Sequence, residues 1–270
     1  MKLINLLAML VLAARLAKAG VAVDTQSLEP RVKQFWAAEV KPDYDAVYGM
    51  LSKGEQDSIA REAYVKLRTE IGPFHYQSAR LGDIEFSGDL AWVHVNYEFT
   101  LPRYPMMPPR TFETWQLWRY QDGWYPIPVA ERDRWPTLPP KLRPAAEEAA
   151  LTKRAAGLWQ AKVDQDWKRV YGYLLPGFRA RIPLDEFLKS KARFIYIEPR
   201  VEWVEASGNE ARVSIAYLAK LNDPAVSKMK PEEQRAIEPW VKVDGDWYLD
   251  TSVLDKPPAD AQGVIQEPKR

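Results

Sequence analysis

The sequence predicts an α+β protein made of two copies of one unit, each a set of three helices followed by a curved antiparallel sheet. Two observations predict it. Residues 154–174 match residues 31–51 at a constant offset of 123, with nine of the 21 positions identical, among them Trp36/Trp159, Asp43/Asp166, Tyr48/Tyr171 and Leu51/Leu174. Further along, the order repeats: Ser87–Tyr97 recurs as Ser207–Tyr217 at an offset of 120, and the Asp-Gly-Trp-Tyr of 122–125 returns at 244–248 with one residue inserted. A period this long marks a duplicated domain, because solenoid repeats run about 20–50 residues. The chain of 270 residues is long enough for two units that each bury a core of their own.

The first unit opens with helical spacing: Phe35, Trp36, Val40, Val47, Tyr48 and Leu51 recur at threes, fours and sevens. Pro42 and Asp43 interrupt that pattern, as Gln165 and Asp166 do in the second copy. An Asp carboxylate accepts from the unpaired amides of a helix's first turn, so Asp43 and Asp166 are read as N-caps of a second helix. A third helix over Ser58–Glu70 stops at Gly72-Pro73, and its counterpart spans Pro183–Ala192. Short strands at Phe74–Arg80, Asp83–Phe86, Phe194–Ile197 and Arg200–Glu205 follow. Ser-Gly-Asp and Ser-Gly-Asn turns at 87–89 and 207–209 then lead into alternating strands, Ala91–Leu101 and Ala211–Lys220. The closing strands are Thr111–Tyr120 with Trp124–Ile127, and Ile237–Val243 with Trp247–Thr251.

These boundaries divide the chain into a segment 1–19, a first domain 24–135, a Pro-rich linker 136–150, a second domain 151–254 and a polar, disordered tail 255–270. The prolines at 136, 139, 140 and 144 make the connection an extended, semi-rigid spacer. The first segment reads as an export signal: Lys2, an apolar run over Leu3–Ala14, then Ala17-Lys18-Ala19 as a small-x-small cleavage site. The expected location is periplasmic or secreted, with an uncleaved inner-membrane anchor as the alternative, since Arg15 and Lys18 are unusual in a cleavage region. No stable membrane span is expected once the signal is removed.

Composition excludes several functions. The chain has no cysteine, so disulfides, thiol catalysis, cysteine-held metals and a lipid anchor on cysteine are ruled out. Lys and Arg number 38 against 37 acidic residues; loss of Lys2, Arg15 and Lys18 with the signal changes the net charge from +1 to −2. No basic tract stands out, so nucleic acid is not an expected partner. Neither a Gly-rich phosphate loop nor a Gly-x-Ser-x-Gly elbow is present.

The run Trp36…Asp43…Val47-Tyr48…Leu51, its copy Trp159…Asp166…Val170-Tyr171…Leu174, and the Gly-Trp-Tyr and Asp-Trp-Tyr closing strands resemble the NTF2-like superfamily of SnoaL-like and ketosteroid-isomerase-like folds, especially its exported bacterial members. The resemblance covers about residues 31–127 and 154–251. It implies two tandem cone domains, in which three helices close over the concave face of a sheet. Superfamily enzymes work with acids, His or Tyr inside the cone, while many members only bind or assemble.

Candidate chemistry is sparse. Trp92, His94, Asn96 and Glu98 share one face of an alternating strand, and Val93, Val95, Tyr97 and Phe99 the other. If the following hairpin closes symmetrically, Glu98 approaches Glu113, and two adjacent carboxylates sharing a proton can serve as a general acid. Against this, the second copy replaces the polar face with Arg212, Ser214, Ala216 and Leu218, so a solvated or partner-facing strand is the favoured reading. His75 aligns with Ile195, as expected of a partly buried packing position. Tyr48 and Tyr171 are candidates to line the mouths of the cones, and Arg31 and Arg154 for helix-surface ion pairs. No metal site and no cofactor are expected. The function expected is an exported, non-enzymatic binding or assembly module whose partner is an envelope protein or a small apolar ligand. The rival is a lyase, isomerase or hydrolase that uses His94, Glu98 and Glu113 in the first cone.

Overall fold

Trp36 and Trp159 anchor the two halves in the same way. Each lies on the long first helix of its half and packs against tyrosines of the following sheet. The computed structural model describes residues 23–189, 194–223, 225 and 228–251. The expected export segment and the tail from 255 lie outside the described residues.

Helix α1 (Leu28–Val40) buries Leu28, Val32, Phe35 and Trp36, which fall on one stripe at spacings of four and three. Its counterpart α5 (Ala145–Val163) buries Leu151, Ala155, Leu158 and Trp159. Asp43 and Asp166 cap α2 (Tyr44–Tyr48) and α6 (Trp167–Gly172), accepting from the backbone amides of Ala46 and Arg169 at 3.0 Å each.

Among the described residues, four helices rather than three precede each sheet. The helix expected over 58–70 starts at Arg61, and an additional short helix precedes it. Ser52 opens α3 (Lys53–Ser58) with a reciprocal cap to Glu55, Ile59 adopts an extended conformation, and α4 (Arg61–Ile71) carries the rest to Gly72. In the second half α7 (Pro176–Arg181) begins on a proline suited to a first turn, and α8 (Leu184–Lys189) follows. The expected end of α8 at 192 lies outside the described residues.

Each half then forms a four-stranded antiparallel meander. The first sheet runs β1 (His75–Ser87), β2 (Leu90–Thr100), β3 (Arg110–Tyr120), β4 (Trp124–Pro126); the second runs β5 (Phe194–Ser207), β6 (Glu210–Leu221), β7 (Glu232–Val243), β8 (Asp246–Leu249). The pairs of short strands expected before each hairpin are single strands, β1 and β5, with register shifts at Leu81/Ile84 and Ile197/Arg200. A bulge keeps the ladder going while it bends the strand, which sequence periodicity registers as a break. Both Ser-Gly hairpins close through two residues, and Gly88 and Gly208 hold the positive φ of 62° and 61° that such turns demand.

The cores are separate. One cluster gathers Val32, Phe35, Trp36, Val47, Val93, Val95 and Trp118; another gathers Leu151, Leu158, Trp159, Val213, Ile215 and Trp240. A third, small cluster of Trp92, Leu117 and Ile127 lies on the outer face of the first sheet, with Trp135 packed against it. The connection between the halves is therefore not a free spacer. It contains two short 3-10 turns, Val129–Arg134 and Pro140–Leu142, and α5 already begins at Ala145. The Trp92 indole N–H donates to Pro136 O at 3.1 Å, tying the connection to the first sheet. One residue later, the hydroxyl of Thr137 and the amides of Thr137 and Leu138 donate to the Glu205 carboxylate in the second sheet, which Arg212 also holds at 2.9 Å. Lys141 reaches back to Asp83 and Glu85 of β1 at 2.9 and 2.7 Å.

Candidate functional site

In the first half α1, α3, α4 and the concave face of the sheet line a partly open pocket of about 320 Å³. That size suits a small organic ligand. Its walls are aromatic. Trp36 stacks on Tyr97 with ring centroids 5.2 Å apart and planes 23° apart, and Tyr76 meets Trp36 edge-on at 5.2 Å. The Trp36 indole N–H donates to Gln116 Oε1 at 3.0 Å, which fixes the ring against the middle of β3.

A buried ion pair lies in this wall. Glu39 follows Phe35 and Trp36 on the inward stripe of α1 and is 4% exposed. Arg68 of α4 donates from Nη2 to its Oε2 at 2.5 Å and lies over the Tyr44 ring at 4.8 Å. Burial pushes the Glu39 carboxyl up, and the Arg68 guanidinium pulls against that. Glu55 also lines the pocket; burial raises its carboxyl too, opposed by the Ser52 hydroxyl that donates to it at 2.9 Å. Burial, helped by the nearby Glu39 carboxylate, pushes the Tyr64 phenol up to about 12 and raises Tyr76 too, and burial raises Tyr97, so these rings are neutral donors over the ordinary pH range. Arg132, from the turn after β4, is the remaining charged lining residue.

The second half does not reproduce these groups. Lys162 stands at the position of Glu39, one turn from Trp159, and Glu238 at that of Gln116. Lys162 Nζ bonds Glu238 Oε1 at 2.9 Å and lies over the Trp159 ring at 3.8 Å. The Trp159 indole N–H and Glu238 Oε2 are buried without partners among the described residues. A cavity of comparable size, about 340 Å³ and no more open than the first, is lined by Phe194, Tyr196, Tyr217 and Met229 toward the far end of that sheet.

The residues singled out from the sequence lie elsewhere. His94, Glu98 and Glu113 occupy the outer face of the first sheet, opposite the pocket that Tyr97 lines. Glu113 faces Asn96, which donates to it at 2.8 Å, and its other oxygen is 3.9 Å from His94 Nε2. Glu98 faces Thr111, so the hairpin closes in a register that leaves the two carboxylates diagonal and not opposed. His94 packs beside Trp115 with ring centroids 5.0 Å apart. His75 is exposed at the start of β1, not partly buried. Tyr48 and Tyr171 do not line either cavity: each hydroxyl lies within reach of two backbone carbonyls, Gln56 and Ile59 at 3.0 Å each, and Arg179 and Ile182 at 2.9 and 2.8 Å. Arg154 stacks between Tyr173 and Tyr248 and donates to Trp247 O, so it is not a surface ion pair.

Sequence reading passed over Glu39, Arg68 and Arg132 because none of them repeats between the copies. A signal was nevertheless present: Glu39 is an acid three residues beyond Trp36 on an otherwise apolar stripe, the pattern of a buried charge with a distant partner.

Among the described residues, no group of three or more His, Asp or Glu is placed to hold a metal, and no helix is long and apolar enough to cross a membrane. No protein-family model and no curated protein matches the chain. Among solved structures, a SEC-C motif containing protein from Rhodopseudomonas palustris is similar over 38% of this chain and 76% of its own, at 14% identity and a TM-score of 0.30. An NTF2-like protein involved in plasmid conjugation is similar over 82% of this chain and 95% of its own, at 13% identity and a TM-score of 0.29.

Proposed function

We propose that the protein is an exported, non-enzymatic binding module of two NTF2-like units, and that the pocket of the first unit receives a small ligand. One observation carries the reading: in the first half, aromatic side chains line a cavity of about 320 Å³ whose wall holds the buried Glu39–Arg68 ion pair. The faces of Trp36, Tyr76 and Tyr97 offer dispersion contacts to the atoms of a ligand. The duplicated blocks and the helix-then-meander order of each half support the two-unit reading, and the N-terminal pattern of Lys2, Leu3–Ala14 and Ala17-Lys18-Ala19 supports export.

A binding role is favoured over acid–base catalysis because the one deeply buried carboxylate of the pocket, Glu39, is held by Arg68 at 2.5 Å. The test is native mass spectrometry of protein purified gently from its own envelope fraction. A small molecule should accompany the wild-type chain and be lost from Trp36→Ala. Protein that is ligand-free at every step, with an unchanged mass in extracts of its native cells, overturns the reading.

A further inference from the structure

The charges around the first pocket do not pair off evenly. Arg68 and Glu39 hold each other, at 2.5 Å. Glu55 accepts from both the amide and the hydroxyl of Ser52, at 3.1 and 2.9 Å. Arg132 has no acid. Its Nε is buried with no hydrogen-bond partner, and it forms no ion pair among the described residues. The neighbouring acid, Glu131, is 3.7 Å from Arg134 instead. Arg132 comes from the 3-10 turn Val129–Arg134, and the Tyr97 ring that stacks on Trp36 lies close enough to feel its charge.

A guanidinium cannot shed its charge by deprotonating, and a buried N–H without an acceptor is costly. Such a group at the edge of an aromatic cavity is completed by an acceptor brought in from outside. Its planar fork of donors matches a carboxylate, which can take two parallel hydrogen bonds. Arg68 offsets the charge of Glu39, which weakens the repulsion that an incoming anion would meet there.

We infer that the ligand of the first pocket is a flat, apolar molecule bearing one carboxylate, its body against Trp36, Tyr76 and Tyr97 and its carboxylate on Arg132. This inference rests on the proposed ligand-binding function. The second half is not a duplicate of such a site, because Lys162 at the position of Glu39 is held by Glu238 at 2.9 Å.

The test is isothermal titration calorimetry of the full chain with two isosteric probes, naphthalene-2-carboxylate and naphthalene-2-carboxamide. The wild type should bind the carboxylate about tenfold or more tightly than the amide, the usual strength of a charge-assisted pair over a neutral one. Arg132→Gln should bind both probes alike, and Arg132→Lys should keep part of the preference. Thermal melting of both variants shows whether either loses its fold, and Arg132→Lys decides if Arg132→Gln does. Equal binding of the two probes by the wild type overturns the carboxylate assignment and leaves the pocket reading standing. Binding of neither probe overturns both. A preference that survives in Arg132→Gln and Arg132→Lys overturns the role of Arg132.

Discussion

Trp36 donates its indole N–H to Oε1 of Gln116 at 3.0 Å, a bond that joins α1 to the middle of β3 across 80 residues of chain. The equivalent indole in the second half, Trp159, packs on Tyr217 at 4.4 Å, but its N–H has no partner among the described residues. Both rings are buried, so Trp36→Ala and Trp159→Ala should each cost roughly 3–5 kcal/mol in their own half. The Phe variants separate the two sites. Trp36→Phe leaves a buried amide oxygen without its donor, whereas Trp159→Phe removes an unsatisfied N–H; the first should cost about 1–2 kcal/mol more than the second. Urea unfolding midpoints measure the difference, and equal losses contradict it.

Tyr48 and Tyr171 tie the helices that follow them by the same device, reaching the carbonyls eight and eleven residues ahead. A hydroxyl has one proton, so it serves the two acceptors in alternation. Tyr48→Phe and Tyr171→Phe should each destabilise by about 1 kcal/mol. The sites lie in different halves, so the double variant should show the sum. A clearly non-additive double variant would mean that the halves unfold as one coupled body.

The connection between the halves covers the outer face of the first sheet at Trp92, which is 2% exposed. We expect each half to fold alone, provided the first keeps that cover. A fragment of residues 23–138 should melt cooperatively; one ending at 127 should melt lower, because it exposes Trp92 and loses its bond to Pro136. If 23–138 and 140–251 are both unfolded in isolation, the two-unit division fails.

High pH should unfold the first half before its phenols titrate freely. Burial raises Tyr64 to about 12, and raises Tyr76 and Tyr97 too, against about 10 in an unfolded chain. The unfolded state therefore releases these protons first. The stabilisation is complete below about pH 10 and is lost as the pH climbs toward 12. Tyrosinate absorbance and far-UV circular dichroism should change together in that window. Smooth ionisation of all tyrosines near pH 10 with the fold intact contradicts the buried placement.

The proposed export would leave a mass signature. Protein recovered from the periplasm should begin at or near Gly20, whereas a full-length species that pellets with membranes would point to an uncleaved anchor.

The sequence by itself determined the helix-then-meander order of each half, the Asp43 and Asp166 caps and both Ser-Gly hairpins. Each of these is a local signal: a cap binds amides three residues away, and a two-residue turn depends on the φ its glycine can adopt. It missed the short helices α3 and α7 and read the bulged strands β1 and β5 as pairs of strands, because an interrupted period looks the same whether the chain ends an element or bends it. Only the tertiary structure decided which face of β2 meets the pocket. Alternation sorts residues into two faces but does not say which one the helices cover, so His94 and Glu98 fell outside and Tyr97 inside. It also decided the Glu39–Arg68 pair, 29 residues apart, and the unpaired Arg132. The energy of a buried charge depends on which distant group the fold brings beside it, and that partner is written nowhere in the neighbouring residues.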